Sequence, residues 1–532
     1  MSGRRVLALY GALLLGFAAV VCRLYWLCSN TGYAARASAQ SEAVLRLPAA
    51  RGNFYDCDGL PLTGLSEQWL ALCFPGEGSY ARLYPYADAD GQAVLYRERN
   101  ASRPFLLEVA QDVRGLGVRC YAVPRRYAAA PLAEHLIGYL DGEGRGAAGL
   151  EAALDDILST GGQDILRCAV TAQGRLRRGS EPVLEKASAA ARGVRLTLSR
   201  SIQRAAEGVA AESMAAGCIL ILEAGSGKVR ACVSRPGFDP AHVGESLTAP
   251  DSPLLNRALS AYAVGSVFKP VVAAAALEAG EGDFVRDCPG YDSRNGQVYR
   301  CAGSVPHGPV GLGGALEKSC NGYFIELGRR LGPERVRQMA AALGFGKGQD
   351  IAAGLRASAG VLPEVETLEN EGQFANFCFG QGELLATPLQ AAGMMNAIAA
   401  GGVYRTPLFV ECVVDEATGE ELAPLAHGSA RRVFSEETAK RLQDLLAGVV
   451  AEGTGQQAAP AEGTAAGKTG TAQTGQFREG EELKNYWFAG FYPADRPRWT
   501  IVVMQDTQTE PEVSSAAVFA RLCDALAAGE DG

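Results

Sequence analysis

The chain holds only four histidines in 532 residues, and none stands at a metal-ligand spacing or beside an evident orienting aspartate. His135, His242, His307 and His427 read as surface or internally satisfied side chains. Neither a Ser-His-Asp triad nor a metal centre is therefore expected. Walker-type and dinucleotide-binding glycine loops are also missing, which argues against a nucleotide site and leaves no cofactor implied. Basic excess is lacking: the formal net charge is −9, a poor match for nucleic acid. The 65 glycines are dispersed rather than periodic, which excludes collagen-like character, and no internal repeat is evident. Hydrophobic residues at 48% and charged residues at 20% are ordinary for globular structure, with length for two or three domains.

One apolar run stands out. Val6 to Cys22 is free of charge over seventeen residues (22−6+1), roughly 25 Å as a helix. Arg23 interrupts it, and Leu24 to Cys28 continues. The stretch spans a bilayer if Arg23 snorkels to the interface beside Tyr25 and Trp26. Arg4 and Arg5 precede it, so the positive-inside rule places the N-terminus in the cytoplasm and the rest outside. A cleaved signal peptide is the alternative, but the run is long for one and no good Ala-x-Ala site follows directly. A lipoprotein is excluded because Val21 and Leu27 precede Cys22 and Cys28 where a small residue is needed.

Fourteen cysteines form no dense framework and read mostly as buried thiols. Cys288 and Cys301 flank a polar turn, Asp292 to Gly296, and could close a disulfide-bonded hairpin or stay reduced.

Up to about residue 190 the chain is mixed and Arg-rich. Asp56-Cys-Asp58-Gly59 reads as a turn between strands. Apolar helices are predicted around Leu132 to Leu140 and from Gly149 to Leu158. From residue 194 the pattern is strand (194–198), helix (199–211) and a strand pair (218–222, 229–233) joined by a Gly-containing turn. An Ala-rich helix follows over 266–279. Strands are predicted at 468–473, 486–491 and 499–504, with a closing helix over 513–528. Strands at both ends with helices between indicate an α+β domain.

Three motifs carry chemistry: Ser266-Val-Phe-Lys269, Ser319-Cys-Asn321 and Lys468-Thr-Gly470. Each is weak alone. They lie 53 and 149 residues apart (319−266, 468−319), so only a folded domain unites them. Serine is a poor nucleophile without a base. Spacing i to i+3 puts Lys269 on the same helical face as Ser266, and burial favours its neutral form. Ser319 offers a proton relay, and Asn321 an amide to hold Lys269 or a substrate peptide group. Lys468, Thr469 and Thr471 would attract a carboxylate, and Gly470 removes a side chain where a substrate backbone must approach. Backbone N–H groups of Ser266 and Thr471 could form an oxyanion hole. Taken singly, these motifs also read as a helix start, a helix cap and a turn-flanked strand.

With Arg51-Gly52…Asp56-x-Asp-Gly59, Arg126-Tyr127…Gly149-Leu-Glu151, Gly265-Ser-Val-Phe-Lys-Pro270, His307-Gly308, Gly380-Gln-Gly382, Thr387-Pro-Leu-Gln390 and Lys468 to Gln473, the chain resembles the class B penicillin-binding proteins over nearly its whole length. The resemblance implies a cytoplasmic tail (1–5), a transmembrane helix (6–28), an elongated mixed α/β pedestal domain (29–190) and a transpeptidase domain (191–532). The last is expected to be an antiparallel sheet covered by helices, with an all-helical subdomain. It implies a serine-type D,D-transpeptidase of peptidoglycan synthesis, using D-Ala-D-Ala carboxypeptidase-type chemistry and trapped by β-lactams. Ser266 would be acylated by a stem peptide on lipid-linked or nascent glycan, with Lys269 as base, Ser319 as relay and Asn321 positioning. Lys468, Thr469, Gly470 and Thr471 would receive the terminal carboxylate. The membrane helix and pedestal would meet a polytopic glycan polymerase and other cell-wall machinery. Departures are Val264 for the usual Pro, and Cys57 for a common Arg or Lys. A glycosyltransferase domain before the pedestal, as in bifunctional class A proteins, is not seen. A serine β-lactamase would need a carboxylate loop, for which Glu366 to Asn370 is the candidate. A non-catalytic scaffold would be free to lose the catalytic groups, and all are present.

Overall fold

A computed structural model describes residues 3–29, 41–48, 51–75, 78–187, 191–294, 296–425 and 428–529. Helix α1 (Gly3–Ser29) carries a mean hydropathy of 2.1 in its most apolar window, and none of its residues is buried. Among the described residues it is the one helix long and apolar enough to cross a membrane. The Arg23 guanidinium lies 4.7 Å over the Trp26 ring, a contact suited to an interfacial arginine.

The chain divides into two compact units. The smaller comprises Met1–Arg51, Gly64–Arg126 and Gly161–Ala189. It contains two antiparallel three-stranded sheets. Ile165–Ala169 is central between Glu42–Arg46 and Val183–Glu185, and Ser66–Cys73 is central between Phe105–Val109 and Cys120–Arg125. Alternation along Ser66–Cys73 sends Ala71 and Cys73 into one apolar cluster and Leu72 into another, as strand geometry requires.

The larger unit comprises Gly52–Thr63, Tyr127–Thr160 and Ala190–Gly532, so compaction departs from a linear boundary at residue 190. The reason is burial. Phe54 pairs in parallel with Val194, and Leu136, Leu150 and Leu158 share one core with Val194 and Leu222. The apolar stretch 132–140 forms only the turn Glu134–Ile137, which stops at Gly138 with φ 86°. The 149–158 segment breaks into two short turns, Gly149–Ala153 and Asp155–Leu158. Asp56 makes the predicted turn: Oδ1 accepts from the N–H of Asp58 and Leu60, while Oδ2 accepts from Arg200 N at 3.0 Å.

Five antiparallel strands build the central sheet: β1 (Gly217–Glu223), β2 (Val229–Arg235), β3 (Ala466–Arg478), β4 (Glu481–Tyr492) and β5 (Trp499–Gln508), in the order β2-β1-β5-β4-β3. The helices around it are α2 (Arg200–Ser213), α3 (Lys269–Glu278), α4 (Asn321–Leu331), α5 (Pro388–Ala399), α6 (Glu436–Ala451) and α7 (Ser515–Ala528). Period-two alternation divides the sheet's side chains between two cores. Ile219, Ile221, Ile501 and Val503 pack with Ala206 and Ala210 of α2 and Phe519 and Leu522 of α7. Leu220, Leu222, Val502 and Met504 join the core that includes α3 and α5. Thr387-Pro-Leu-Gln390 is a capping box: Thr387 Oγ1 accepts from Gln390 N, and Gln390 Oε1 accepts from Thr387 N.

Candidate active site

Ser266 lies in a 3-10 turn, Gly265–Phe268, that runs directly into α3 at Lys269. The sequence predicts one helix from Ser266. The tighter turn preserves the expected relation, because side chains three apart eclipse in 3-10 geometry. Gly380 supports the turn from below: its carbonyl accepts from Gly265 N at 2.8 Å, and a Cβ on it would lie 1.9 Å from Gly265 O.

The Lys269 side chain is fully buried. Its Nζ donates to Ser319 O at 2.7 Å, Ser319 Oγ at 3.0 Å and Asn321 Oδ1 at 2.8 Å. None of these acceptors carries charge, so the loss of water outweighs the opposing pull of the nearby Cys320 and Cys301 sulfurs. Burial pushes the lysine pKa down from 10.5 to about 7.

Ser319 sits between a short helix, Leu312–Glu317, and α4, at φ 50°. That left-handed backbone costs a non-glycine residue about 1–3 kcal/mol. It lets both the carbonyl and the hydroxyl of one residue face Lys269. Asn321 opens α4 and spends its amide on Arg300 O at 2.8 Å, which fixes Oδ1 toward the lysine.

The Lys468-Thr-Gly-Thr segment lies on β3, at the edge of the sheet, with Lys468 opposite Ala489 and Gly470 opposite Trp487. Two expectations change here. Lys468 is fully buried, and its Nζ donates to Thr469 O and Oγ1 at 3.1 and 3.2 Å; burial and the nearby Lys269 hold its pKa well below the lysine value. The accessible groups of the motif are Thr469, half-buried, and Thr471, exposed. The space at Gly470 is taken by protein: a Cβ there would meet Val267 Cγ2 at 2.8 Å and Val264 O at 3.0 Å. Glycine lets the nucleophile's own segment lie on β3.

Other contributors were legible only in part. Trp487 Nε1 donates to Ala263 O at 3.0 Å, pinning the run before Ser266 to β4. Gln381 Nε2 reaches Thr471 O at 3.4 Å. Thr454 Oγ1, which no motif marks, lies 2.9 Å from Thr469 Oγ1. Tyr127 OH reaches the buried Glu151 at 3.3 Å, tying two of the quoted motifs together away from the site.

Among the described residues, no histidine hydrogen-bonds to the Ser266, Lys269, Ser319 and Asn321 groups. His135 is buried against Pro253 O at 2.6 Å, and His242 pairs on the surface with Asp239 Oδ2 at 2.8 Å, an aspartate the sequence reading did not find. His427 lies outside the described residues. Asn370 of the candidate hydrolytic loop caps the helix Glu371–Cys378, and Glu366 is exposed. Cys288 and Cys301 do flank a hairpin, Tyr291–Arg294 with Gln297–Arg300, and their Sγ atoms stand 3.8 Å apart as thiols. A separate cavity of about 530 Å³ is lined by Glu134, Glu207, Arg235 and Phe238, among others, and by none of the motif residues.

Comparison with known proteins places this geometry. The family described as the penicillin binding protein transpeptidase domain matches residues 217–524. Stage V sporulation protein D of Bacillus subtilis is 31% identical over 413 residues, covering 75% of this chain and 62% of that protein. Peptidoglycan D,D-transpeptidase PbpA of Mycolicibacterium smegmatis is 30% identical over 463 residues, covering 80% of this chain and 84% of that protein. A solved chain described under "structural coordination of polymerization and crosslinking by a peptidoglycan synthase complex" superposes with a TM-score of 0.70 at 25% identity, covering 99% of this chain and 98% of that one. The chain thus spans a little over three fifths, 62%, of the Bacillus relative's length. With its transpeptidase match covering more than half of its residues and its three motifs gathered around one buried lysine, the chain belongs to the penicillin-binding protein transpeptidase family, among the class B proteins.

Proposed function

We propose that this chain is a serine D,D-transpeptidase that cross-links peptidoglycan stem peptides through an acyl-enzyme on Ser266. The observation that carries the proposal is the buried Lys269 ammonium, held on Ser319 and Asn321 three residues after a half-exposed serine. With a pKa near 7, Lys269 holds a useful fraction of neutral amine at neutral pH.

Lys269 takes the Ser266 proton as Oγ attacks the carbonyl of the penultimate D-Ala. The N–H groups of Ser266 and Thr471 receive the developing oxyanion. Within an antiparallel strand the N–H and C=O of one residue point the same way. The Thr471 carbonyl faces Gly265, so its N–H also leaves the open edge of β3. Ser319, bonded to Lys269, returns the proton to the departing D-Ala amine. Thr469 and Thr471 hold the terminal carboxylate by their hydroxyls, and Lys468 acts from behind, fixing Thr469 through its carbonyl and hydroxyl. An amine from a neighbouring stem then takes the acyl group. A β-lactam mimics the donor and stays on Ser266.

The smaller unit serves as the pedestal, and α1 anchors the chain by a single pass with its N-terminus in the cytoplasm, so that the catalytic unit works outside. Helix and pedestal meet a polytopic glycan polymerase that supplies the strands.

The test is to label membranes carrying the full chain, and its Ser266→Ala variant, with a fluorescent penicillin over time. A stable label that requires Ser266 is expected. A label that decays within minutes would replace the reading with β-lactamase, and D-Ala release by the Ser266→Ala variant would defeat it.

A further inference from the structure

Directly behind Ser319 and Asn321 lies a cluster that the proposed chemistry does not use. Cys320, the residue between them, is fully buried, as is Cys288, and Cys301 is 3% exposed. One ring nitrogen of His307 and the three sulfurs all lie within 4.8 Å of one another. The four residues are separated by 13, 6 and 13 positions (301−288, 307−301, 320−307) and come from a strand, a hairpin exit, a loop and a helix N-cap.

The sulfur spacings discriminate between chemistries. Cys288–Cys320, Cys288–Cys301 and Cys301–Cys320 are 3.3, 3.8 and 3.9 Å apart. A disulfide needs about 2.05 Å. Metal–sulfur bonds of about 2.3 Å in a tetrahedron put neighbouring sulfurs about 3.8 Å apart. The three sulfurs form one nearly closed triangle of that size, with an imidazole nitrogen as the fourth corner. His307 Nδ1 is buried without a hydrogen-bond partner, which is costly unless something binds there. The frame is held by backbone bonds. His307 N donates to Cys288 O and Cys301 N to Gly290 O, both at 2.9 Å, and Cys320 N donates to Ala315 O at 2.8 Å. Tyr323 N donates to Cys320 Sγ at 3.4 Å, a bond that favours a thiolate.

We infer that Cys288, Cys301, His307 and Cys320 bind one zinc ion, closing a Cys₃His site against the back of the catalytic loop. Binding sends three thiol protons to solvent and leaves three thiolates and a neutral imidazole on the metal. Four protein ligands leave no open position, so the ion is structural. Its consequence, which rests on the function proposed above, is positional. The ion clamps Cys320, and with it the left-handed Ser319 and the Asn321 that hold Lys269.

The test uses the full chain in detergent, fully reduced, stripped with a chelator and reloaded. One zinc per chain is expected in both the wild type and Ser266→Ala, since the second variant reads the site without acylation. Cys301→Ser and His307→Ala should lose the stoichiometric ion. Cobalt(II) should give the intense visible bands of a thiolate-rich tetrahedral site in the wild type, a readout that does not depend on any cysteine variant folding. Chelation should lower the melting temperature and slow penicillin labelling, with both restored by zinc. Substoichiometric zinc in the reduced wild type, cobalt spectra of an octahedral ion, or undiminished zinc in a folded Cys301→Ser chain would each overturn the site. Zinc bound in full with no penicillin label would leave the site standing and sink the transpeptidase reading instead.

Discussion

Lys269 reaches two oxygens of one residue, Ser319, at 2.7 Å for the carbonyl and 3.0 Å for the hydroxyl. The geometry exists because Ser319 takes φ 50°, a strained conformation that turns backbone and side chain to the same partner. The three protons of the ammonium answer both and Asn321 as well. Lys269→Arg is therefore expected to lose acylation by about 10²–10⁴-fold, because guanidinium stays charged and cannot act as a base. Labelling rates on a variant whose melting temperature is retained check this. Wild-type rates would mean another group removes the proton.

The pH profile follows from the same lysine. Burial brings its pKa to about 7, so the neutral base is scarce below that value and plentiful above it. The acylation rate should rise with pH through about 7 and level off. A profile flat from pH 5 to pH 9, measured by stopped-flow labelling, would contradict Lys269 as the base.

Asn321→Asp places a carboxylate where Oδ1 now stands 2.8 Å from Nζ. An opposite charge at that range favours the charged amine by about 1–3 pKa units. The rising limb should move to higher pH by at least a unit, while Asn321→Ala, which adds no charge, should leave its position closer to the wild type's. An unmoved limb in the aspartate variant would sever Asn321 from Lys269.

Gly470→Ala drives a methyl into Val267 and the Val264 carbonyl. Overpacking of this kind costs about 1–3 kcal/mol. Stability and acylation should fall together, since the displaced segment carries Ser266. Combining it with Val267→Ala, which clears the closest contact, should recover part of the melting temperature; strict additivity of the two losses would refute the contact.

Glu134 titrates apart from the chemistry. Burial, then the neighbouring Glu207, raises its pKa from 4.5 to about 7. A raised carboxyl pKa means the folded state binds the extra proton. Stability is therefore full below about 4.5 and is lost as pH rises toward 7. Glu134→Gln should gain as much as about 3 kcal/mol over the wild type at pH 8 and little at pH 5. Denaturant melts at the two values read the difference, and an equal effect at both would rule the titration out.

Much of this protein is determined by local pattern. The uncharged run at 6–22 requires a helix in an apolar environment, and the short apolar runs at 218–222 and 499–504 suit strands buried on both faces, because side-chain period and hydration are properties of short segments. The spacing of Ser266 and Lys269 is also local, since three positions along a tight turn fall on one side of it whatever surrounds them. Tertiary structure alone decided the rest. It buried Lys468 instead of presenting it, filled the space at Gly470 with Val267, and folded 52–63 and 127–160 into the larger core. It also drew His307, isolated in sequence, into contact with three cysteines. Burial and close approach are set by what packs on each residue from distant parts of the chain, and no window of sequence contains those neighbours.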